Sequence, residues 1–240
     1  MSAKDDTWEI KGVDWNDENR IRNCDQLIER VNDIGFLPFF KNDIAGFSVE
    51  EMTSARFWWS GDSENDPWIW RQTASESRKV AYGKFFGGKA GFISLEWLPV
   101  FANFRRDGYD FDSLWEEGKA GSREHRIMEM FELETVWDSS RLKKQAGFGK
   151  TGERNFSGII TALQMQTYLV ISGFRRKVSK KGKEYGMPVS VYSRPEDIWG
   201  YGMVTSRYKD DPEKSREMAY SKAAGLFKAA RRESLKKVLG

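Results

Sequence analysis

Three groups of residues in this chain could do chemistry. The first is Gln164-Met165-Gln166, within "TALQMQTYLVIS", where two carboxamides flank a methionine at the change from a helical to an alternating apolar pattern. Paired carboxamides can hold a water or the edge of a displaced base. At the end of a helix they can also cover carbonyls that lack an intrahelical partner and meet solvent; this second reading is the simpler one. The second group is a basic block. From Asp138 to Lys183 there are eleven Lys/Arg against two acids, a local formal charge of +9, so the rest of the +3 chain carries −6. A basic block in an otherwise acidic chain is the electrostatic footprint of a polyanion partner. The third group is a set of partial motifs, all of which fall short.

"GFGKTGE" ends like a phosphate loop, but the position five before Gly149 is Lys144 rather than glycine, and the segment follows a helical pattern. The sole histidine, His125, lies among Arg123, Glu124 and Arg126 in a helical stretch and reads as a surface residue. One His and one Cys, Cys24, cannot make a zinc ligand set, and no nucleophile-elbow sequence accompanies His125. Asp107, Asp110 and Asp112 lack the order of a calcium loop and read as a turn followed by a helix cap. No metal and no cofactor are expected.

Elements that could position the basic block follow from its apolar periodicity. "SREHRIMEMFEL" presents Ile127, Met128 and Phe131 on one helical face. "DSSRLKKQAGF" is a short helix capped at Ser139 or Ser140 that buries Leu142 and Ala146. A third helix carries Phe156, Ile159, Ile160 and Leu163 at i, i+3, i+4 and i+7. "TYLVISGFRRK" and "YGMPVSVYS" alternate as two strands joined by "VSKKGKE". Three helices followed by a hairpin is the order of a winged helix-turn-helix, expected over about residues 121–195. In such a fold the third helix enters the major groove and the wing touches backbone or minor groove. The expected contacts are Lys150, Arg154 and Asn155 at the start of helix three, with Arg175, Arg176, Lys177, Lys180, Lys181 and Lys183 on the wing, where no acid intervenes. Gly158 costs that helix about 1 kcal/mol relative to Ala, which suggests close approach of another helix or of DNA.

Upstream, residues 1–20 read as a polar, flexible arm and 21–120 as an aromatic-rich module of helices and a hairpin. Six of the ten tryptophans fall between Trp58 and Trp115, a density that reads first as aromatic core. Ile21–Ile34 shows helical spacing. Ser48 and Glu51 have capping-box spacing, and Asp66-Pro67 opens a further helix. Gly87-Gly88 separates two β-prone runs as a hairpin turn. "SLEWLPVFANFRR" reads as a helix capped by Ser94, kinked or shortened at Pro99. Residues 196–240 are expected to be a linker and one long helix from Pro212 to Leu239, packing on the core through a stripe including Met218, Ala223, Leu226, Phe227 and Leu235. The whole is an α+β, helix-rich fold. The acidic N-terminus, the single cysteine and the absence of an apolar run near the roughly 18 residues of a membrane span fit a soluble, cytoplasmic protein.

Two stretches resemble the AlkZ/YcaQ-like winged-helix DNA glycosylases, in particular their smaller AlkZ-related members, over about Pro67–Tyr201. "WIWRQTASESRKVAYGKFFGGKAGFISLEWLPVFANFRR" is similar to the family's aromatic segment with Leu-Pro before an Arg-rich helix. "FSGIITALQMQTYLVISGFRRKVSKKGKEYGMPVSVYSRPEDIW" is similar to its helix, Leu-rich turn, wing and exit. The resemblance implies a DNA-binding protein of tandem winged-helix ancestry, linked to repair of alkylated or crosslinked bases. Those glycosylases position water with Gln-x-Gln or Gln-x-Asp, whose letters Gln164-Met165-Gln166 match. The family places that motif in its first winged helix, whereas this segment aligns with a later, non-catalytic one. No catalytic residue is therefore assigned. The leading expectation is a non-enzymatic DNA-binding protein gripping duplex backbone. The alternatives are a monofunctional glycosylase using Gln164 and Gln166, and a winged helix that binds protein.

Overall fold

Local capping chemistry sets most element boundaries in the computed structural model, which describes residues 9–179 and 182–240. Helix α1 (Cys24–Ile34) starts where the Asn23 side chain accepts from Gln26 N, and it buries Leu27, Ile28, Val31 and Ile34. Strand β1 (Phe36–Pro38) follows, then the short α2 (Val49–Met52), where Ser48 and Glu51 cap each other as their spacing predicts. Helix α3 (Pro67–Glu76) opens on the buried Asp66 carboxylate, which accepts from Trp68 N, Trp59 N and Gly61 N. That one carboxylate thus ties the tryptophan-bearing loop to the helix it caps.

Strands β2 (Val80–Phe86) and β3 (Lys89–Ser94) form the expected hairpin. Gly87 and Gly88 both have positive φ, 56° and 77°, which a two-residue turn of this hand requires. With β1 they make an antiparallel sheet in the order β1-β3-β2. Helix α4 (Leu98–Arg106) corrects one boundary. Ser94 ends β3 instead of capping the helix, and Pro99 falls in the first turn, where its missing N–H costs nothing and causes no kink.

After α5 (Phe111–Glu116) come α6 (Ser122–Met128), α7 (Met130–Leu133), the two-residue β4 (Trp137–Asp138) and α8 (Ser139–Gln145). Asp138 caps α8, rather than either serine, by accepting from Ser140 N and Arg141 N. Helix α9 (Phe156–Met165) then leads to the hairpin β5 (Val170–Val178) and β6 (Glu184–Ser193), and β4 completes a second antiparallel sheet in the order β4-β6-β5. Short helices α10 (Pro195–Trp199) and α11 (Tyr201–Val204) precede α12 (Pro212–Leu226) and α13 (Arg232–Leu239).

The long C-terminal helix expected from the apolar pattern is two helices. Phe227 leaves the helix at φ −121°, ψ 108°, and its ring packs 4.6 Å from that of Phe47. Burying an aromatic ring against the N-terminal half outweighs one further turn of exposed helix. Met218 and Leu226, expected inside, are exposed, while Ala219, Tyr220, Ala223, Leu235, Val238 and Leu239 are buried. Buried apolar residues from both sheets belong to one cluster that runs from Ile21 to Leu239. Among the described residues, no helix is long and apolar enough to cross a membrane.

Candidate nucleic-acid interface

Helix α9 is seated by the residues its spacing marks. Phe156, Ile159, Ile160 and Leu163 are all buried. Its start carries Lys150, Arg154 and Asn155, all exposed. Asn155 takes the left-handed conformation, φ 65°, and makes no side-chain cap hydrogen bond. A Cβ on Gly158 would lie 2.5 Å from Asn155 Oδ1. Within the chain, the close approach at this glycine comes from the side chain three residues earlier and not from another helix.

Gln164 corrects the solvent-facing reading of the helix end. It is fully buried; its Oε1 accepts from Lys84 N of β2 at 3.0 Å and its Nε2 donates to Ile160 O at 2.9 Å. Both ends of the carboxamide are occupied by backbone, so Gln164 has no group turned toward a water or a base. It bolts α9 to the edge of the first sheet. Gln166 caps the helix C-terminus and is half-buried. The two glutamines therefore sit in different environments, one buried and bonded to backbone, the other half-buried at the helix end.

The β5–β6 hairpin changes character along its length. Val170, Ile171 and Gly173 are buried, and from Arg175 outward β5 is exposed through Val178. Arg175 pairs with Val189 and Lys177 with Tyr185, so β6 carries two extra residues between these pairs. Gly186, at φ 71°, accommodates that bulge, and it throws Met187 into solvent at 86% exposure. Arg175, Lys177 and Lys183 are exposed and form no ion pair among the described residues; Arg176 stands 3.9 Å from Glu184 across the hairpin. Lys180 and Lys181, expected on the wing, lie outside the described residues. Arg175 and Arg176 border a groove of about 660 Å³ whose other wall includes Trp59, Trp68 and Phe174. The lining of that groove does not include Lys150, Arg154 or Asn155.

A second charged region lies at the segment that follows α9. Arg106, at the end of α4, is buried, and its guanidinium donates to Thr167 O at 2.7 Å, Tyr208 OH at 2.8 Å and Glu196 Oε1. Burial works against its charge more than any single neighbour favours it, but Glu196 and Tyr208 together outweigh that cost and hold its pKa above the ordinary guanidinium value. Burial likewise pushes the Tyr208 hydroxyl up to about 12. This network borders a cavity of about 360 Å³ lined also by Asp110, His125, Glu129 and Glu132. His125 is half-buried there, its ring stacked 3.9 Å from that of Trp115 and Nδ1 3.6 Å from Glu129. Carboxylates predominate, so this cavity repels a phosphate backbone.

The frame that carries these side chains is a mixed α/β fold with two antiparallel sheets. A family model described as AlkZ related matches residues 21–240, and the chain belongs to that family. Membership associates it with DNA repair of the glycosylase-like kind. No curated protein and no solved structure matches the chain.

Proposed function

We propose that the protein binds duplex DNA in a repair setting, through a winged helix-turn-helix formed by α6–α7, α8, α9 and the β5–β6 hairpin. The order of these elements and the β4-β6-β5 sheet support that assignment. In this reading the start of α9, with Lys150, Arg154 and Asn155, faces the major groove. The hairpin, with Arg175, Arg176, Lys177 and Lys183 and the flanking Lys180 and Lys181, grips the backbone.

The observation that carries the proposal is the set of exposed hairpin cations, Arg175, Lys177 and Lys183, that form no ion pair among the described residues. Solvated cations held on a rigid strand pair lose little on meeting phosphates and release counterions when they do. Binding rather than hydrolysis is the activity favoured, because Gln164 is engaged at both ends by backbone. Replacing Arg175, Arg176 and Lys177 by Glu tests it. The triple variant should bind duplex on the order of a hundredfold more weakly in a fluorescence anisotropy titration while keeping the wild-type melting temperature. Unchanged affinity overturns the proposal.

A further inference from the structure

Arg71, on α3, is more than nine-tenths buried, yet no carboxylate pairs with it among the described residues. Its guanidinium lies between two rings, 3.7 Å from the Trp68 centroid and 4.3 Å from that of Phe174. Stacking on both faces offsets part of the cost of burying the charge. Tyr82 adds a hydrogen bond, but burial remains the larger influence and holds the pKa of Arg71 below its ordinary value. Nε has no hydrogen-bond partner among the described residues. A buried donor left without an acceptor is costly, and a cation packed this way is suited to an acceptor supplied from outside.

Arg71 lines a cavity of about 380 Å³ in the seam between the two sheets, walled by Phe40, Trp68, Tyr82, Ile171 and Phe174. That volume is within the usual range for small-molecule sites. Lys84 and Lys89 of the β2–β3 hairpin also line it, and both are exposed. Trp68 and Phe174 border the neighbouring groove as well, the one that carries Arg175 and Arg176. The cavity is thus apolar and aromatic, has two exposed lysines in its lining, and shares Trp68 and Phe174 with the groove proposed to meet DNA backbone. An apolar protein side chain would fill the walls but leave Arg71 unanswered. A nucleobase supplies a flat face for the rings and carbonyl or ring-nitrogen acceptors at its edge, and its phosphates suit Lys84 and Lys89.

We propose that this cavity takes up one unpaired nucleobase of a DNA strand whose flanking duplex is held by the β5–β6 hairpin. The proposal rests on the duplex-binding reading and adds a preference for DNA that offers an unpaired base. Three DNAs of one sequence test it: fully paired, with a single-nucleotide bulge, and with the same bulge made abasic. The abasic bulge keeps the backbone and its bend but removes the base. Base–aromatic stacking is worth about 1–3 kcal/mol, so the wild-type protein should bind the base-containing bulge about tenfold more tightly than the abasic one. Trp68→Ala and Arg71→Met should each remove that preference, read as the ratio of the affinities for the two bulges, and Trp68→Phe should restore most of it. Should Arg71→Met fail to fold, the Trp68 pair carries the same readout. Equal affinity of the wild-type protein for the two bulges overturns the proposal, as does a preference that survives in folded Trp68→Ala. If paired duplex is not bound at all, the hairpin reading fails instead. The cavity is then judged on a short single strand, where equal binding by wild type and Trp68→Ala, or no binding, overturns it.

Discussion

Arg106 and the arginines of the β5–β6 hairpin stand at opposite ends of the environments open to a guanidinium. Arg106 is surrounded by Glu196, Tyr208 and Thr167, and each of its three nitrogens donates to a partner within the chain. Arg175 has burial behind it and solvent ahead, with its backbone fixed by pairing to Val189. The first arrangement holds α4 to the segment after α9 and to α10. The second leaves charge available to a partner. The same contrast separates Gln164, satisfied at both ends, from Gln166 at the helix terminus. The lesson is that chemistry-bearing residue types count only where the fold leaves their polar atoms unanswered. Arg71 is the intermediate case, buried like Arg106 but without its carboxylate.

Perturbing each side of this contrast should give effects of different kinds. The largest is on binding: Arg175→Glu, Arg176→Glu and Lys177→Glu together should weaken duplex affinity by on the order of a hundredfold, with melting unchanged. Next is Arg106→Leu, which leaves Glu196 without its partner; about 3–5 kcal/mol of stability should be lost in urea denaturation. A loss below 1 kcal/mol would mean that the Arg106 network is not structural. Gln164→Leu orphans Lys84 N and should cost about 1–3 kcal/mol, whereas Gln166→Ala should cost little. Equal costs would undo the distinction between the two glutamines.

The smallest effect concerns Cys24. Burial, with help from Asp25, pushes its thiol up to about 11 from an ordinary 9.0. The folded state therefore favours the protonated thiol. The associated stability is fully present below pH 9 and is lost as the pH rises toward 11. Cys24→Ala should flatten the fall in melting temperature over that window, and an identical fall in both proteins would show that the thiol contributes nothing.

Much of the frame was legible because it depends on neighbours in sequence. Asp66 before Pro67, Ser48 three residues before Glu51, and Gly87-Gly88 between β-prone runs all act over a few residues, and the structure uses each as its local chemistry suggests. The basic hairpin was legible for the same reason. What escaped depends on distant partners. Gln164 meets Lys84 across 80 residues, so its burial has no signal in the helix that carries it. The α12–α13 break is set by Phe227 reaching Phe47, while the apolar pattern continues unbroken across it. Arg71 sits in a region whose aromatic density reads as core. Its second ring, Phe174, comes from the hairpin about a hundred residues later, and only the folded chain brings the two together.

The claim that the β5–β6 hairpin contacts DNA backbone is tested most directly by salt dependence. Duplex affinity should be measured from low to moderate salt for the wild-type protein and for the triple variant Arg175→Ala, Arg176→Ala, Lys177→Ala. Each lost phosphate contact removes about 0.9 from the slope of log affinity against log salt. The variant should therefore show a slope shallower by about 2 to 3. Parallel lines, or a wild-type affinity insensitive to salt, would contradict it.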